Sequence, residues 1–247
     1  MTGELAQRAR SGNLDAWRAV AKATGRELID DGGMLTYFSM AATRNFNPTI
    51  VYEPLADPAA ALTARAAEYE RRGVPFGFEI PEGLDPAAER AATARGMSVH
   101  IEQPAMVLHP IVALPDPDPR VRIIGPDELD LHLQTQAAGF NDPIDALRVF
   151  SSPQMFDACT MLLAFDEGAP AATSIACVTG GEAGVFGVTT RPEHRRRGLG
   201  RAATVEAVRI GAQAGADLAY LHASEMGRPV YERIGFRTVE RIRIYVD

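Results

Sequence analysis

The chain has 247 residues, of which 46% are apolar and 23% charged, and its formal net charge is −7. This length and composition fit one large globular domain or two smaller ones and exclude collagen-like and disordered chains. The acidic balance argues against a nucleic acid or an anionic membrane as the general partner. No apolar run approaches the roughly 20 residues that span a bilayer, and the polar start lacks a signal-peptide core, so we expect a cytoplasmic protein. Cys159 and Cys177 match no metal-binding spacing and predict neither a metal site nor a disulfide framework.

Alternating helix and strand patterns run through the first part of the chain. Two short apolar runs, over 27–29 and 34–40, flank a turn with two glycines and predict a hairpin. Helical spacing and extended apolar runs then alternate. They predict, in chain order, a helix over 62–72, a strand over 74–80, a helix over 85–94 and a strand over 99–108.

A proline-rich stretch at 114–120 interrupts this pattern. Pro115, Pro117 and Pro119 lack backbone donors and fix φ near about −65°, so the stretch favours an extended polyproline conformation over a helix or a central strand. We therefore predict two domains, over 1–114 and 119–247, each long enough for a modest core.

The second predicted domain has the element order βααβββαβαβ. Turn-rich breaks separate its three central apolar runs, which is typical of an antiparallel meander. Gly215 and Gly235 are placed to end helices. The elements are a strand over 121–124, helices over 126–139 and 142–150, strands over 159–165, 171–178 and 185–190, a helix over 202–214, a strand over 218–223, a helix over 229–234 and a strand over 238–246.

The last four elements of the two predicted domains follow the same order. Aligning Gly96 with Gly235 places the two series in register at an offset of 139 residues, which favours an internal duplication. The alternative is that any two α/β segments share a helix–strand–helix–strand order.

A predicted strand is joined to a predicted helix by the stretch Val188-Thr-Thr-Arg-Pro-Glu-His-Arg-Arg-Arg-Gly-Leu-Gly-Arg201. Gly198 and Gly200 permit a loop in which successive backbone N–H groups converge, and the following helix adds the positive end of its dipole. Five arginines lie within 191–201 against one acid, Glu193. Converging amides and arginines at a helix N-terminus predict a pyrophosphate site.

Three other interpretations of this glycine loop can be weighed. A Walker A loop needs Gly-Lys-Ser/Thr after its second glycine, and the chain has no such sequence there. A dinucleotide fingerprint needs a third glycine, near whose place the chain has Thr204, and a β-meander does not precede a Rossmann helix. The third alternative is a solvated arginine-rich loop without a ligand, and the strand–loop–helix setting weighs against it.

Two motifs in this region resemble those of the GNAT N-acetyltransferases. Arg195-x-x-Gly198-x-Gly200 is similar to the family's Arg/Gln-x-x-Gly-x-Gly/Ala signature, and Tyr231-Glu-Arg-Ile-Gly-Phe236 is similar to its Tyr-x-x-x-Gly-Phe segment. Each motif alone is weak, but the pair, in the family order with a helix and a strand between them, is fairly specific. The resemblance covers about 120–247 and implies an α/β fold with a mixed, mostly antiparallel sheet flanked by helices, duplicated in the two halves.

The resemblance implies roles for the residues of these motifs. The strand residues expected to pair with the pantetheine arm of acetyl-CoA are Val188, Thr189 and Thr190. The residues expected at the pyrophosphate are Arg195, Arg196, Arg197, Gly198, Leu199, Gly200 and Arg201. Tyr231 is expected to protonate the departing CoA thiolate, although packing is the commoner use of a helix tyrosine. Ser224 stands where the family often has Asn, so a CoA contact and a helix cap are both open to it.

A general base must take a proton from the amine before or during its attack on the thioester. Glu182, near the start of the central strand, is the first candidate and Glu225 is the second. Either residue also fits a surface carboxylate, and a water chain is a further alternative. His194 and His222 are interpreted as structural or solvated.

The first predicted domain lacks this chemistry. At the offset of 139 residues, Tyr231 falls on Ala92, and the stretch 52–61 holds acids and prolines but neither glycine nor arginine. We therefore expect 1–114 to be a degenerate GNAT-like domain without a CoA site.

These features predict a soluble N-acyltransferase that passes an acyl group, acetyl in the simplest case, directly from acetyl-CoA to a primary amine of a small molecule or peptide, without a metal. The alternative is a non-catalytic acyl-CoA-binding or sensor protein. No nucleic acid or membrane partner is expected, and the sequence is compatible with an oligomer. The helices over 126–150 are expected to line the acceptor pocket, with Phe140, Asn141 and Phe150 as candidates.

Overall fold

The computed structural model describes residues 2–247, except for the side chain at position 45. Its helices are α1 (Thr2–Thr24), α2 (Pro58–Arg72), α3 (Pro86–Ala94), α4 (Leu129–Phe140), α5 (Ile144–Arg148), α6 (Met155–Ala158), α7 (Leu199–Gln213) and α8 (Arg228–Ile234). Its strands are β1 (Leu28–Asp31), β2 (Met34–Tyr37), β3 (Pro48–Val51), β4 (Gly77–Pro81), β5 (Ser98–Leu108), β6 (Val121–Ile123), β7 (Cys159–Asp166), β8 (Ala169–Thr179), β9 (Glu182–Thr190), β10 (Leu218–His222) and β11 (Arg237–Val246). Within residues 2–247, no helix combines the length and the apolar character needed to cross a membrane.

The chain forms two compact units, each built from two separate segments. Unit 1 consists of Met1–Thr24 and Ala105–Val239, and unit 2 consists of Gly25–Pro104 and Glu240–Asp247. The proline stretch at 114–120 lies inside unit 1, so the unit boundaries differ from the division over 1–114 and 119–247. The first helix and the last strand reach their units through contacts that are distant in sequence, and local composition carries no signal of such contacts.

The sheet of unit 1 has the strand order β6-β7-β8-β9-β10-β5. Neighbouring strands are antiparallel except β9 and β10, which run parallel. α7 covers one face, where Val208 packs with Leu162, and α1 covers the other, where Ala16 packs with Leu163. Leu162 and Leu163 are adjacent on β7 and point to opposite faces, as the two-residue period of a strand requires.

Unit 2 repeats this plan with fewer strands. Its sheet has the order β1-β2-β3-β4-β11, antiparallel except for the parallel pair β3 and β4. α2 and α3 contribute to one core, in which Leu62, Tyr69 and Ala92 pack with Phe78 and Ile80. These residues are all buried, so unit 2 has an apolar core of its own.

The two units share a succession of elements. The series β3-α2-β4-α3-β5 and β9-α7-β10-α8-β11 match in order, and each begins with a strand parallel to the next strand of its own series. The closing strands are exchanged: β11 pairs with β4, and the C-terminal part of β5 pairs with β10. This matching order supports the duplication that the sequence favours, and the exchange explains why the segment Glu240–Asp247 belongs to unit 2.

Cys159 and Cys177 form a disulfide within unit 1. They are direct cross-strand partners on β7 and β8, which are joined by a tight turn. The expectation that these cysteines form no disulfide is therefore wrong. An antiparallel hairpin places residues on opposite sides of the turn in register, and their spacing in the sequence alone does not reveal this.

Gly211 allows α7 to approach β9 closely. A Cβ atom at this position would collide with the Cβ of Ala183. Gly211→Ala is therefore expected to destabilise the protein by about 1–3 kcal/mol through overpacking. This result would be the reverse of the usual effect in a helix, where alanine is more stabilising than glycine. Urea unfolding measures the change. Gly3→Ala is the control, because nothing lies within 4 Å of that Cβ, and it should not lower the stability; an equal loss in both variants would contradict the close approach.

Candidate active site

The parallel strands β9 and β10 pair over only part of their length. Their register runs from Leu218 with Glu182 to Tyr220 with Gly184, although β9 continues to Thr190 and β10 to His222. Beyond the pair of Tyr220 with Gly184, the two strands no longer pair, and the edge of β9 that faces β10 is open. An unpaired strand edge offers backbone N–H and C=O groups to an extended ligand.

A β-bulge lies in β9 beside this gap. The register with β8 shifts between Thr173 and Ile175, so that Gly187 and Val188 oppose the single residue Ser174. Gly187 has φ +58°, and its carbonyl accepts a hydrogen bond from the Thr173 hydroxyl at 2.7 Å. Bulges re-aim a strand locally and are frequent next to active sites.

The loop between β9 and α7 has the backbone shape of an anion nest. Arg196 and Gly198 adopt left-handed conformations, with φ +64° and +79°, on either side of Arg197. α7 begins at Leu199, and the first amides of a helix have no acceptor within the helix. Gly198 is exposed and bears no side chain that could cap them. The loop therefore presents several N–H groups and the positive end of a helix to solvent.

The arginines of this loop have different surroundings. Arg195 donates to the carbonyls of Thr190, at 3.2 Å, and Gly139, at 3.0 Å, and so ties the end of β9 to the end of α4. Arg197 donates to Asp166 at 2.5 Å. The hydrogen bond with His194, and then the charge of Arg197, lower the pKa of that carboxyl. The exposed arginines without a partner among the described residues of this loop are Arg196 and Arg201.

The different surroundings of Arg195 and Arg201 predict different effects when each is replaced by alanine. Arg201→Ala should leave stability unchanged and weaken CoA binding about threefold to fivefold, with a smaller salt dependence, because an exposed charge pair is weak and screened. Arg195→Ala should instead lower the free energy of unfolding by about 1–2 kcal/mol, because two hydrogen bonds are lost. Calorimetry at two salt concentrations and urea unfolding separate the effects. Exposed Arg237→Ala is the control, and wild-type salt dependence in Arg201→Ala would contradict the assignment.

Tyr231 and Ser224 lie together after the end of β10. A Cβ atom added to Gly227 would come within 2.9 Å of the Tyr231 ring and 3.3 Å of the Ser224 hydroxyl. Ser224 accepts a hydrogen bond from the Gly227 amide at 3.2 Å and so closes the turn that precedes α8, whose N-cap is Gly227. Tyr231 packs edge-on against Phe236, with ring centroids 6.1 Å apart.

Burial controls the protonation of two residues at this end of β10. Desolvation raises the pKa of Tyr231 to about 12, so its phenol stays protonated at neutral pH. Burial is the cause of this shift. Desolvation lowers the pKa of His222 to about 4, so its imidazole is neutral.

The structure places Glu182 away from these residues. It lies at the first position of β9, where its carboxylate accepts a hydrogen bond from Arg8 at 2.9 Å. Thr190 at the other end of the strand is eight residues, or roughly 26 Å, further on. Glu225, by contrast, is exposed beside Ser224. Glu182 is therefore not brought together with the loop and Tyr231, and its sequence position gave no sign of the partner in α1.

A cavity of about 170 Å³ adjoins the bulge on the face of the sheet opposite α7. Phe150 lines it, whereas Phe140 and Asn141 do not: Phe140 is 44% exposed at the end of α4, and Asn141 caps that helix. Trp17 of α1 also lines the cavity, and sequence reasoning missed it. The signal was the helical spacing of apolar residues in α1, which include Leu5, Ala9, Ala16 and Val20.

Comparison with protein families gives a match over residues 16–245 to the family described as "Probable histone acetyltransferase Rv0428c C-terminal". No curated protein matches the sequence significantly. Many solved structures resemble the fold.

Three of these solved structures show the extent of the similarity. A GCN5-related N-acetyltransferase from Kribbella flavida is 20% identical with a TM-score of 0.74, covering 98% of this chain and 95% of that one. One from Sphaerobacter thermophilus is 14% identical with a TM-score of 0.63, covering 87% and 76%. The glucosamine N-acetyltransferase region of a fungal multi-domain GH3 β-N-acetylglucosaminidase is 14% identical with a TM-score of 0.62, covering 86% and 31%. The chain therefore belongs to the family that its sequence matches over most of its length, and it has the fold of the GCN5-related N-acetyltransferases, the GNAT superfamily.

Proposed function

We propose that unit 1 transfers an acyl group, acetyl in the simplest case, directly from CoA to a primary amine. The observation that carries this proposal is the meeting of three features at one end of β9. They are the open strand edge beyond Gly184, the amide nest that precedes α7, and the protonated Tyr231 after β10. Each feature has a separate use in acyl transfer from CoA, and none is needed to hold an empty α/β fold together.

The residues at this end of unit 1 fit CoA. The nest at Arg196 and Gly198 and the first amides of α7 suit a pyrophosphate, since they offer N–H donors and a helix dipole with no competing acidic cap. Arg201 adds a free positive charge. The edge of β9 over Val188, Thr189 and Thr190 suits an extended amide-bearing arm. When bound, acetyl-CoA supplies the activated acyl group as a thioester.

The bulge provides for polarisation of the thioester carbonyl. The Thr173 hydroxyl donates a hydrogen bond to the Gly187 carbonyl, so this acceptor of the bulge is satisfied within the sheet. The amides that β9 presents to the gap are then free to donate to a developing oxyanion. Preorganised backbone donors of this kind stabilise acyl-transfer transition states because they need no reorganisation during the reaction.

Tyr231 is proposed as the general acid. Its phenol is protonated at neutral pH because burial raises its pKa to about 12. It can give its proton to the departing sulfur and regain one from solvent. Ser224 accepts from the Gly227 amide in the turn before α8, and so it helps to position the helix that carries Tyr231.

Removal of the amine proton is assigned to solvent or to Glu225. Glu182 is not carried forward as the base, because its carboxylate is paired with Arg8 at the far end of β9. Glu225 is exposed on the segment between β10 and α8. A water between the amine and this carboxylate satisfies the requirement for reach.

Unit 2 is proposed to lack a CoA site. α2 is the counterpart of α7, and its first turn is capped by the Asp57 carboxylate, which accepts from the Ala60 amide at 3.0 Å. A negative charge thus stands where a phosphate would have to bind. Ala92 takes the place of the tyrosine at the duplication offset.

The proposed acceptor class is a primary amine of a small molecule or peptide. The matched family's description names histone acetylation, and one solved neighbour is described as a glucosamine N-acetyltransferase. These acceptors differ in size and charge but share a primary amine as the attacking group.

A thiol-release screen of the full chain with acetyl-CoA and pooled primary amines tests this function. We expect thiol release that depends on an amine pool, together with an acetylated amine identified by mass spectrometry. Tyr231→Phe should slow the release. CoA binding without acetylation of any amine would favour a sensor, and absence of CoA binding would contradict the proposal.

A further inference from the structure

The cavity beside the β9 bulge has mostly apolar walls that include three aromatic rings. Its walls include Trp17, Val20, Leu147, Phe150, Met155 and Phe186. Trp17 and Phe150 meet edge to face, with ring centroids 6.0 Å apart. The polar side chains in the lining are Gln136 and Ser151, and the described lining includes no charged group.

The cavity reaches the proposed point of transfer. Phe186 and Gly187 form part of its wall, and the bulge at Gly187 and Val188 borders the gap between β9 and β10. Adjacent strand residues are about 3.3 Å apart. The Gln136 amide nitrogen lies against Gly187, where it can orient a polar group. A ligand in the cavity therefore points its end toward the proposed position of the thioester. That position lies one or two strand residues from the cavity wall.

We infer that this cavity binds the apolar body of the acceptor, so that the preferred substrate is a primary amine carried on an aromatic or compact aliphatic group. The inference rests on the proposed acyl transfer. A volume of about 170 Å³ suits a single ring, since an apolar protein cavity of about 150 Å³ takes benzene. Trp17, Phe150 and Phe186 are partly exposed, as expected for a site that an acceptor enters from solvent.

The same walls disfavour highly polar acceptors. A sugar amine would leave its hydroxyl groups with only Gln136 and Ser151 as side-chain partners, and an unpaired buried polar group is costly. A cationic peptide segment would meet no carboxylate in the lining. Selectivity for a ring-bearing amine thus comes from both the apolar contact and the missing polar partners.

Trp17 is the chain's only tryptophan, so its fluorescence reports occupation of the cavity directly. Titration of the full chain with 2-phenylethylamine should give a saturable blue shift, and ethylamine, which lacks the ring, should give none. Phe150→Ala should weaken the response at least about tenfold, a typical effect for lost contacts in an apolar pocket. Ile123→Ala is the control, because Ile123 is 59% exposed and lies outside the cavity.

Acetyl transfer measured in the same samples separates this inference from the proposed function. The kcat/KM for 2-phenylethylamine should exceed that for ethylamine at least about tenfold. Val20→Phe, which fills the cavity, should raise KM for 2-phenylethylamine more than KM for ethylamine, a selective change that misfolding would not give. Transfer to ethylamine or glucosamine without preference for the ring would overturn the inference and leave the function standing. A Trp17 shift with hexanoyl-CoA alone, and none with 2-phenylethylamine, would assign the cavity to the acyl chain and overturn it. Loss of all transfer would contradict the function itself.

Discussion

Replacement of Gly198 by valine is expected to weaken CoA binding by at least about a hundredfold. Gly198 adopts φ +79° directly before α7, a region that a β-branched residue enters only with strain. The substitution redirects the amides of the nest. Loss of two charge-assisted hydrogen bonds, about 1.5–3 kcal/mol each, corresponds to a hundredfold or more. Isothermal titration calorimetry of the full chain with CoA measures the loss.

Gly215→Val is the matched control for this experiment. Gly215 has φ +94° and, like Gly198, has nothing within 4 Å of an added Cβ. It follows α7 at the opposite end of the helix, about 22 Å from the nest. Both variants should lose about 1–3 kcal/mol of stability from backbone strain, but only Gly198→Val should lose CoA. Equal CoA affinities in the two variants would show that the loop is not the phosphate site.

Tyr231→Phe is expected to lower kcat by about a hundredfold and to leave CoA affinity nearly unchanged. General-acid assistance is typically worth about 10²–10⁴-fold, and a thiolate leaves fairly easily, so the lower end applies. The phenylalanine ring keeps the packing against Phe236. A loss in kcat and kcat/KM alike is the pattern of an interaction made in the transition state. Steady-state kinetics on an acetylated amine provide the measurement.

Tyr220→Phe is the control for the lost hydroxyl. Tyr220 is also buried in unit 1, where its ring packs edge to face against Phe186 with ring centroids 5.9 Å apart. This variant should retain kcat. Equal rates in Tyr231→Phe and the wild type would make Tyr231 a packing residue.

The alkaline pH profile follows from the burial of Tyr231. An ordinary tyrosine ionises near pH 10, but burial raises the pKa of Tyr231 to about 12. The protonated acid therefore persists through pH 10, and kcat should show no decline from this group below that pH. The raised pKa also means that its contribution to stability is complete below about pH 10 and is lost toward pH 12.

The elements of 119–247 could be predicted closely because their signals are local. The helix predicted over 202–214 is found at Leu199–Gln213, and the strand over 185–190 extends to Glu182–Thr190. Glycines mark the ends, and apolar spacing marks the interiors. The predicted fold class and the family resemblance are confirmed by the comparisons.

The contacts between distant segments could not be predicted in this way. α1, β3 and α6 were missed, and α1 alone supplies Arg8 to Glu182 and Trp17 to the cavity. The exchange of β5 and β11 depends on pairing across more than 100 residues, which leaves no trace in local periodicity. The same kind of distant contact pairs the predicted base, Glu182, with Arg8 of α1 at the end of β9 away from Tyr231.

The loop residues of the site were easier to predict than its walls. Gly198 needs a left-handed conformation, and that requirement is visible as a glycine in a strand–loop–helix setting. The cavity walls come from α1, α4, α5, α6, the segment after α5 and two strands, and most of the residues there are ordinary apolar side chains in their own elements. Their common role emerges only when the elements pack.

The stoichiometry of CoA binding tests the central claim most directly. The account assigns one site to unit 1 and none to unit 2, where Asp57 caps the counterpart helix. Calorimetric titration of the full chain with CoA should therefore give one site per chain, with an affinity that falls as salt rises. Two sites per chain, or no binding at low salt, would contradict the account.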